Sequence, residues 1–142
     1  MSRVFLGGSC DPTTWRRDVA MPALDAAGIT YYNPQVTDWK PELVEIEARA
    51  KEEADTLLFV VDGQTRAIAS MLEAAECICD NREVVLVIND IPDGTEIAGQ
   101  EVTVRELKDL NRARVYLADI AKRHGVLVFA TVAEAVEEIV DS

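Results

Sequence analysis

Hydrophobic and polar positions alternate along this chain in blocks that predict strands and helices by turns. The clearest block runs from Ala54 to Cys79. Residues 56–61 are a nearly continuous apolar run closed by Asp62, the pattern of a strand buried on both faces in a parallel sheet. Gly63 and Gln64 break the run, and Thr65 is positioned to cap a helix. In that helix Ile68, Leu72, Ala75 and Cys79 form an apolar stripe at helical spacing. Around this unit the spacing predicts strands over 3–6, 29–32, 83–88 and 126–129. It predicts helices over 15–27, 42–54, 103–123 and 132–140. Expected inward positions are Val19, Leu24 and Ala27 on the first helix and Leu43, Ile46 and Ala50 on the second. On the longest helix they are Leu107, Leu110, Val115, Leu117 and Ile120. Residues 89–102 form a long polar loop with Pro92, Gly94 and Gly99, the length of a lid or partner contact.

Strand and helix alternate with short connections and without an internal repeat. That rhythm predicts a single-domain α/β fold, a flavodoxin-like (Rossmann-like) doubly wound sheet of five parallel strands in the order 2-1-3-4-5. In such sheets ligands bind outside the carboxyl ends of the strands, where the strand order reverses. The expected site therefore lies between strands 1 and 3, with residues 7–11 opposite residues 62–70. There Asp62, Arg66, Ser70 and Glu73 supply two carboxylates, a guanidinium and a hydroxyl at one strand end. Gly7 and Gly8 after the first strand allow a backbone to approach a ligand, or form a tight turn. Neither G-x-G-x-x-G nor the P-loop lysine is present. Trp39, beside Asp38, is able to stack on a base or to cover the sheet edge. Lys108, Arg112 and Arg114 concentrate positive charge on one helix, where solvation, a subunit interface or an anion are the options.

Charge narrows the partners. With 26 acidic and 14 basic residues in 142, the net charge is −12. This excludes a general binder of nucleic acid polymers or anionic membranes, although one arginine or a helix N-terminus still suffices for a free nucleotide. No apolar run approaches the ~20 residues of a membrane span, and a signal-peptide layout is lacking. The three cysteines, Cys10, Cys77 and Cys79, show no C-x-x-C spacing, and there is a single histidine. A structural zinc site is thereby disfavoured, and a soluble, cytoplasmic protein of a reducing compartment is expected. Cys77 and Cys79 are expected to pack as small apolar residues.

Several segments in order resemble the nucleoside 2-deoxyribosyltransferase-like family: Val4-Phe5-Leu6-Gly7-Gly8-Ser9, Trp15-Arg16, Tyr32-Asn33-Pro34, Asp38-Trp39, Glu47, Ala54-Asp55, Thr65-Arg66 and Glu73. The likeness covers about residues 3–79. It implies the flavodoxin-like fold, assembly as a homo-oligomer, and N-glycosidic chemistry on nucleosides or nucleoside 5′-monophosphates with no metal or organic cofactor. By that resemblance Glu73 is the nucleophile that attacks C1′, and Glu47 is the carboxyl group that protonates the leaving base. Asp62 is the other candidate for acid or base contact. Gly7, Gly8, Ser9 and Asp11 match the sugar and phosphate cradle. Trp15, Asn33, Asp38, Trp39, Arg66 and Ser70 complete the expected substrate contacts.

The chain departs from the family pattern at three places. Ala74-Ala75 follows Glu73 where the family has Leu-Gly, Phe5 stands where a tyrosine is common, and Ala67, Ile68 and Ala69 replace glycines. The departures leave open a catalytically silent nucleotide-binding or oligomerising module on the same fold. A flavodoxin-type redox protein is the weakest alternative, because the loop after the first strand lacks a hydroxyl-rich phosphate cradle.

Overall fold

A computed structural model describes residues 3–142. Strand β1 (Arg3–Gly8) leads through a loop to a π-helical segment, Arg16–Ala20, which continues as helix α1 (Met21–Ala26). Then come β2 (Thr30–Tyr32), α2 (Leu43–Glu53), β3 (Thr56–Val61), α3 (Ile68–Cys79) and β4 (Val84–Ile88). A hairpin of β5 (Glu96–Ile97) and β6 (Gln100–Glu101) precedes α4 (Val104–Arg123), β7 (Val128–Phe129) and α5 (Val132–Asp141). The main sheet has five parallel strands in the order β2-β1-β3-β4-β7. This is the expected 2-1-3-4-5 order, consistent with a flavodoxin-like fold, with the hairpin inserted into the predicted loop.

The sheet is held by a core on each face, as the double-sided apolar strands require. Phe5, Leu57, Phe59, Val61 and Leu86 pack beneath Met71, Ala74 and Ile78 of α3 and Leu117 and Ala121 of α4. On the other face Val4, Leu6, Leu58, Val60 and Val87 meet Trp15, Leu24 of α1 and Ala135, Val136 and Ile139 of α5. Among the described residues no helix is long and apolar enough to cross a membrane.

Several helix faces differ from expectation. In α3 the buried stripe is Met71, Ala74, Cys77 and Ile78. Ile68 and Leu72 are 55% and 70% exposed, and Cys79 is exposed as well. Both stripes have helical spacing, and the sheet takes the one whose small Ala74 and Cys77 permit close approach. The exposed stripe faces a groove along α4. Thr65 is not the cap: α3 starts after Ala67, whose φ is 58°, and no side chain caps it. Ile46 and Val115 lie in solvent, and α2 has no fully buried residue. Ala27, expected inward, is exposed where α1 ends. Conversely Arg114, expected at the surface, is buried, because backbone carbonyls rather than water solvate its guanidinium. The predicted first helix opens as a π turn in which the Met21 N–H reaches back to the Arg16 carbonyl. Pro22 has no N–H to offer Asp18, so a regular α ladder is interrupted there.

Candidate active site

The carboxyl end of β1 and the segment after β2, with α2 and α3 beside them, line a cleft of about 480 Å³. Its floor is Phe5 and the backbone of Gly7 and Gly8, and its walls include Asp11, Trp39, Glu47, Ser70 and Glu73. Gly8 has φ +111°, and a Cβ there would stand 2.2 Å from the Val60 carbonyl. The close contact of β1 with β3 therefore requires glycine at this position, and it is this contact that turns the loop over the sheet edge.

Beyond Gly8 the loop is fixed from beneath. The Ser9 carbonyl accepts from Thr13 Oγ1 (2.9 Å), Trp15 Nε1 (3.0 Å) and Arg16 Nη1 (2.8 Å). Arg16 also donates to the carbonyls of Leu6 (2.9 Å) and Gly8 (3.2 Å), and its guanidinium lies 4.3 Å from the Trp15 ring centroid. Burial lowers the Arg16 pKa from its ordinary value, while Cys10, Glu47 and Asp62 act in the opposite direction. Ser9 Oγ accepts from the Asp62 N–H (3.1 Å) and lies 2.7 Å from Thr65 Oγ1, which is itself 3.2 Å from Asp62 Oδ1. Ser9, Trp15 and Asp62 thus form the buried support of the cleft rather than its wall. The Asp62 carboxylate also accepts from the Gln64 N–H (3.0 Å), closing the turn after β3.

Other expected residues are engaged nearby. Arg66 makes a forked pair with Glu106 on α4, at 3.1 and 3.2 Å. Asn33 Oδ1 accepts from the Gln35 N–H (3.0 Å), and Gln35 Nε2 donates to Asp11 Oδ1 (3.2 Å). Asp38 is exposed, 4.0 Å from Lys40 Nζ. Trp39 is 58% exposed and lines the cleft.

The two facing helices bring the chemistry. Glu47 of α2 and Glu73 of α3 line the same cleft. Lys51, one turn after Glu47, places Nζ 2.7 Å from Glu73 Oε2 and 5.9 Å from the Phe5 ring centroid. Burial first, and then the charge of Glu73, raise the Glu47 pKa above the ordinary carboxylate value, while Lys51 and Arg16 pull it down. The Tyr32 phenol is raised by burial and by the charge of Glu47. One carboxyl group is thus biased toward holding its proton beside another that is ion-paired. That is the division of labour glycoside cleavage requires. Helix α3 opens at the cleft with Ala69 and Ser70, and its first N–H groups have no side-chain cap. Among the described residues no three His, Cys, Asp or Glu side chains converge as metal ligands.

Two residues have roles here that were not assigned to them from sequence. Lys51 was legible in principle as the i+4 neighbour of Glu47 on a helix. Arg114 was not. It donates to the carbonyls of Asp62 (2.7 Å), Thr65 (2.9 Å), Asn89 (2.8 Å) and Leu110 (3.2 Å), fastening the β3–α3 turn to the segment after β4.

A protein-family model described as nucleoside 2-deoxyribosyltransferase like matches residues 1–91, a span that includes both Glu47 and Glu73. No curated protein matches the chain. Solved structures that do match include a conserved protein from Enterococcus faecalis V583, 17% identical. The match covers 98% of this chain and 97% of that one with a TM-score of 0.60, a likeness of fold.

Proposed function

Since the chain belongs to the nucleoside 2-deoxyribosyltransferase-like family, we propose that it cleaves or exchanges the N-glycosidic bond of a nucleoside through a glycosyl ester of Glu73. The observation that carries this reading is the pair of carboxyl groups in one cleft, with Glu47 biased toward its protonated form. In the reaction a Glu73 oxygen forms a bond to C1′ and the C1′–N bond breaks. The electron pair leaves with the base, which takes the proton of Glu47. Water, or the nitrogen of a second base, then attacks C1′, returns a proton to Glu47 and frees Glu73. Gly7, Gly8, Asp11 and Ser70 serve the sugar, and the Trp39 ring serves the base. Ser9, Trp15, Asn33, Asp62 and Arg66 hold the loops that carry these groups.

The test is release of free base from a panel of nucleosides and nucleoside 5′-monophosphates, with Glu73→Ala alongside. Base release by the wild type and not by the variant is expected. Equal activity of the two removes Glu73 from the mechanism. A binding-only module is the second reading, favoured by the Phe5 ring, which brings no hydroxyl to the cleft. It predicts thermal stabilisation by nucleosides without turnover. Assembly as a homo-oligomer is supported by the exposed apolar groove of Ile68, Leu72 and Tyr116 between α3 and α4. Light scattering of the purified protein tests it, and a monomer at micromolar concentration refutes it.

A further inference from the structure

Lys51 carries a consequence beyond the two carboxyl groups. We propose that Lys51 is a positioning residue that acts as counter-ion to Glu73 before glycosyl transfer and to Glu47 after it. The proposal rests on the glycosidic reading given above.

Negative charge changes place during this reaction. Before reaction Glu73 is the ionised group, and the Lys51 ammonium touches its Oε2 at 2.7 Å. No protein hydrogen bond is made to Glu73 Oε1 among the described residues, so the ion pair fixes the carboxylate and leaves an oxygen for C1′. Formation of the ester neutralises Glu73, and transfer of the Glu47 proton to the departing base ionises Glu47. One unit of negative charge has then moved from α3 to α2. Lys51 stands four residues after Glu47 on α2, and side chains at that spacing on a helix are neighbours, in the favourable order with Glu preceding Lys. The same cation therefore faces the charge in both states.

The side chain suits this task. An ammonium on a flexible four-carbon stem has three donors and no fixed plane, so it turns between partners as a guanidinium fork does not. Lys51 Nζ lies above the Phe5 ring, an apolar floor that limits competing water. The other titratable groups near it are Glu47 on its own helix and Glu73 and the Cys77 thiol on α3, while Arg16 and the Tyr32 phenol of β2 also interact with Glu47. The Lys51 carbonyl accepts from Arg82 (2.7 Å), a bond of the backbone that a side-chain substitution leaves in place.

The test uses the full chain with Lys51→Met, which keeps the stem over Phe5 and removes the charge. A fall in kcat of roughly 10- to 100-fold is expected, the effect of losing one charge-assisted hydrogen bond, with KM little changed. The basic limb of the pH–kcat profile, set by Glu47, moves to higher pH, because the cation that pulls its pKa down is gone. Lys51→Arg restores the larger part of kcat, and methylammonium partly rescues Lys51→Ala. Wild-type kcat in Lys51→Met with an unmoved basic limb overturns the proposal. If that variant does not fold, the carboxyl NMR titration of Glu47 in Lys51→Gln decides, and an unshifted midpoint overturns it equally. The two levels are separable. A wild type that releases no base removes the glycosidic reading and this one with it. An active wild type, a dead Glu73→Ala and an unaffected Lys51→Met remove the counter-ion alone.

Discussion

Phe5 and Tyr32 are register partners on β1 and β2, and their rings stack 5.8 Å apart at 6° from parallel. The Phe5 ring lies beneath Lys51, the cation paired with Glu73, and Phe59 is tilted against Phe5 at 6.3 Å. Phe5 is 2% exposed, so truncation leaves a cavity. Phe5→Ala is expected to cost about 3–5 kcal/mol of stability. Tyr32→Phe keeps the stack and is expected to stay within about 0.5 kcal/mol of wild type. Urea denaturation of the two variants checks this. An equal loss in Tyr32→Phe would show that the phenol, not the ring, is the stabilising group.

Glu47 gives a prediction in pH. Its folded pKa is raised, chiefly by burial and then by Glu73, so the protonated form is favoured by folding. Stability associated with that proton is fully present below the ordinary carboxylate pKa and is lost as pH rises through the folded value. Glu47→Gln mimics the protonated form without titrating. Its Tm should exceed that of the wild type at pH 7 and converge with it near pH 4. The same variant should lose base release, since a carboxamide is not a general acid. A lower Tm at pH 7 would mean that the Glu47 charge is stabilising, and the assignment as acid would fall with it.

Charge on the cleft wall discriminates between substrates. Asp11 and the Lys51-paired Glu73 face it as carboxylates, beside a Glu47 biased toward its neutral form, while the neighbouring cations are committed elsewhere. Lys51 is paired with Glu73 and Arg66 with Glu106, and Arg16 and Arg114 are turned to carbonyls. The uncapped start of α3 favours an anion by about 0.3–1 kcal/mol, an attraction that the Asp11 carboxylate at close range opposes. An uncharged nucleoside should therefore exceed its 5′-monophosphate in kcat/KM by roughly tenfold at low salt, with the gap closing as salt screens the wall. Asp11→Asn should narrow it too. A preference for the monophosphate would show that one of these cations is released to the substrate.

The outcome along the chain separates what local pattern determines from what assembly determines. Sheet order was legible because the apolar runs at 57–61 and 84–88 have no other use than burial on both faces, and right-handed crossovers then leave few arrangements. The face of α3 was not, since Ile68-Leu72-Ala75 and Met71-Ala74-Ile78 are equally periodic and only contact with β3 chooses between them. In the site, the sequence brought Gly7, Gly8, Asp11, Trp39, Glu47, Ser70 and Glu73 to one cleft. Ser9, Trp15 and Asp62 support it from below through bonds to carbonyls and N–H groups that carry no side-chain signature. The same reason hid Arg114, which in sequence is one cation among several on an amphipathic helix.

Arg114 also yields the sharpest test of how the cleft is held. Its side chain is 1% exposed and makes no ion pair within 4 Å among the described residues. Burial lowers its pKa from the ordinary value, with the charges of Asp62 and Asp90 opposing. What stabilises the buried cation is a set of carbonyls from the turn after β3, the end of β4 and α4 itself. Arg114→Met fills similar volume but takes the guanidinium donors from the carbonyls of Asp62, Thr65 and Asn89, each a desolvated group costing about 1–3 kcal/mol. A loss of about 3 kcal/mol or more is expected, with amide exchange accelerating first at residues 62–67 and 89–91. Arg114→Lys, with one nitrogen in place of a fork, should recover only part. If Arg114→Met were as stable as wild type and protected at residues 62–67, water would be able to replace the guanidinium, and the turn that carries α3 to the cleft would be held by Ser9 and Asp62 alone.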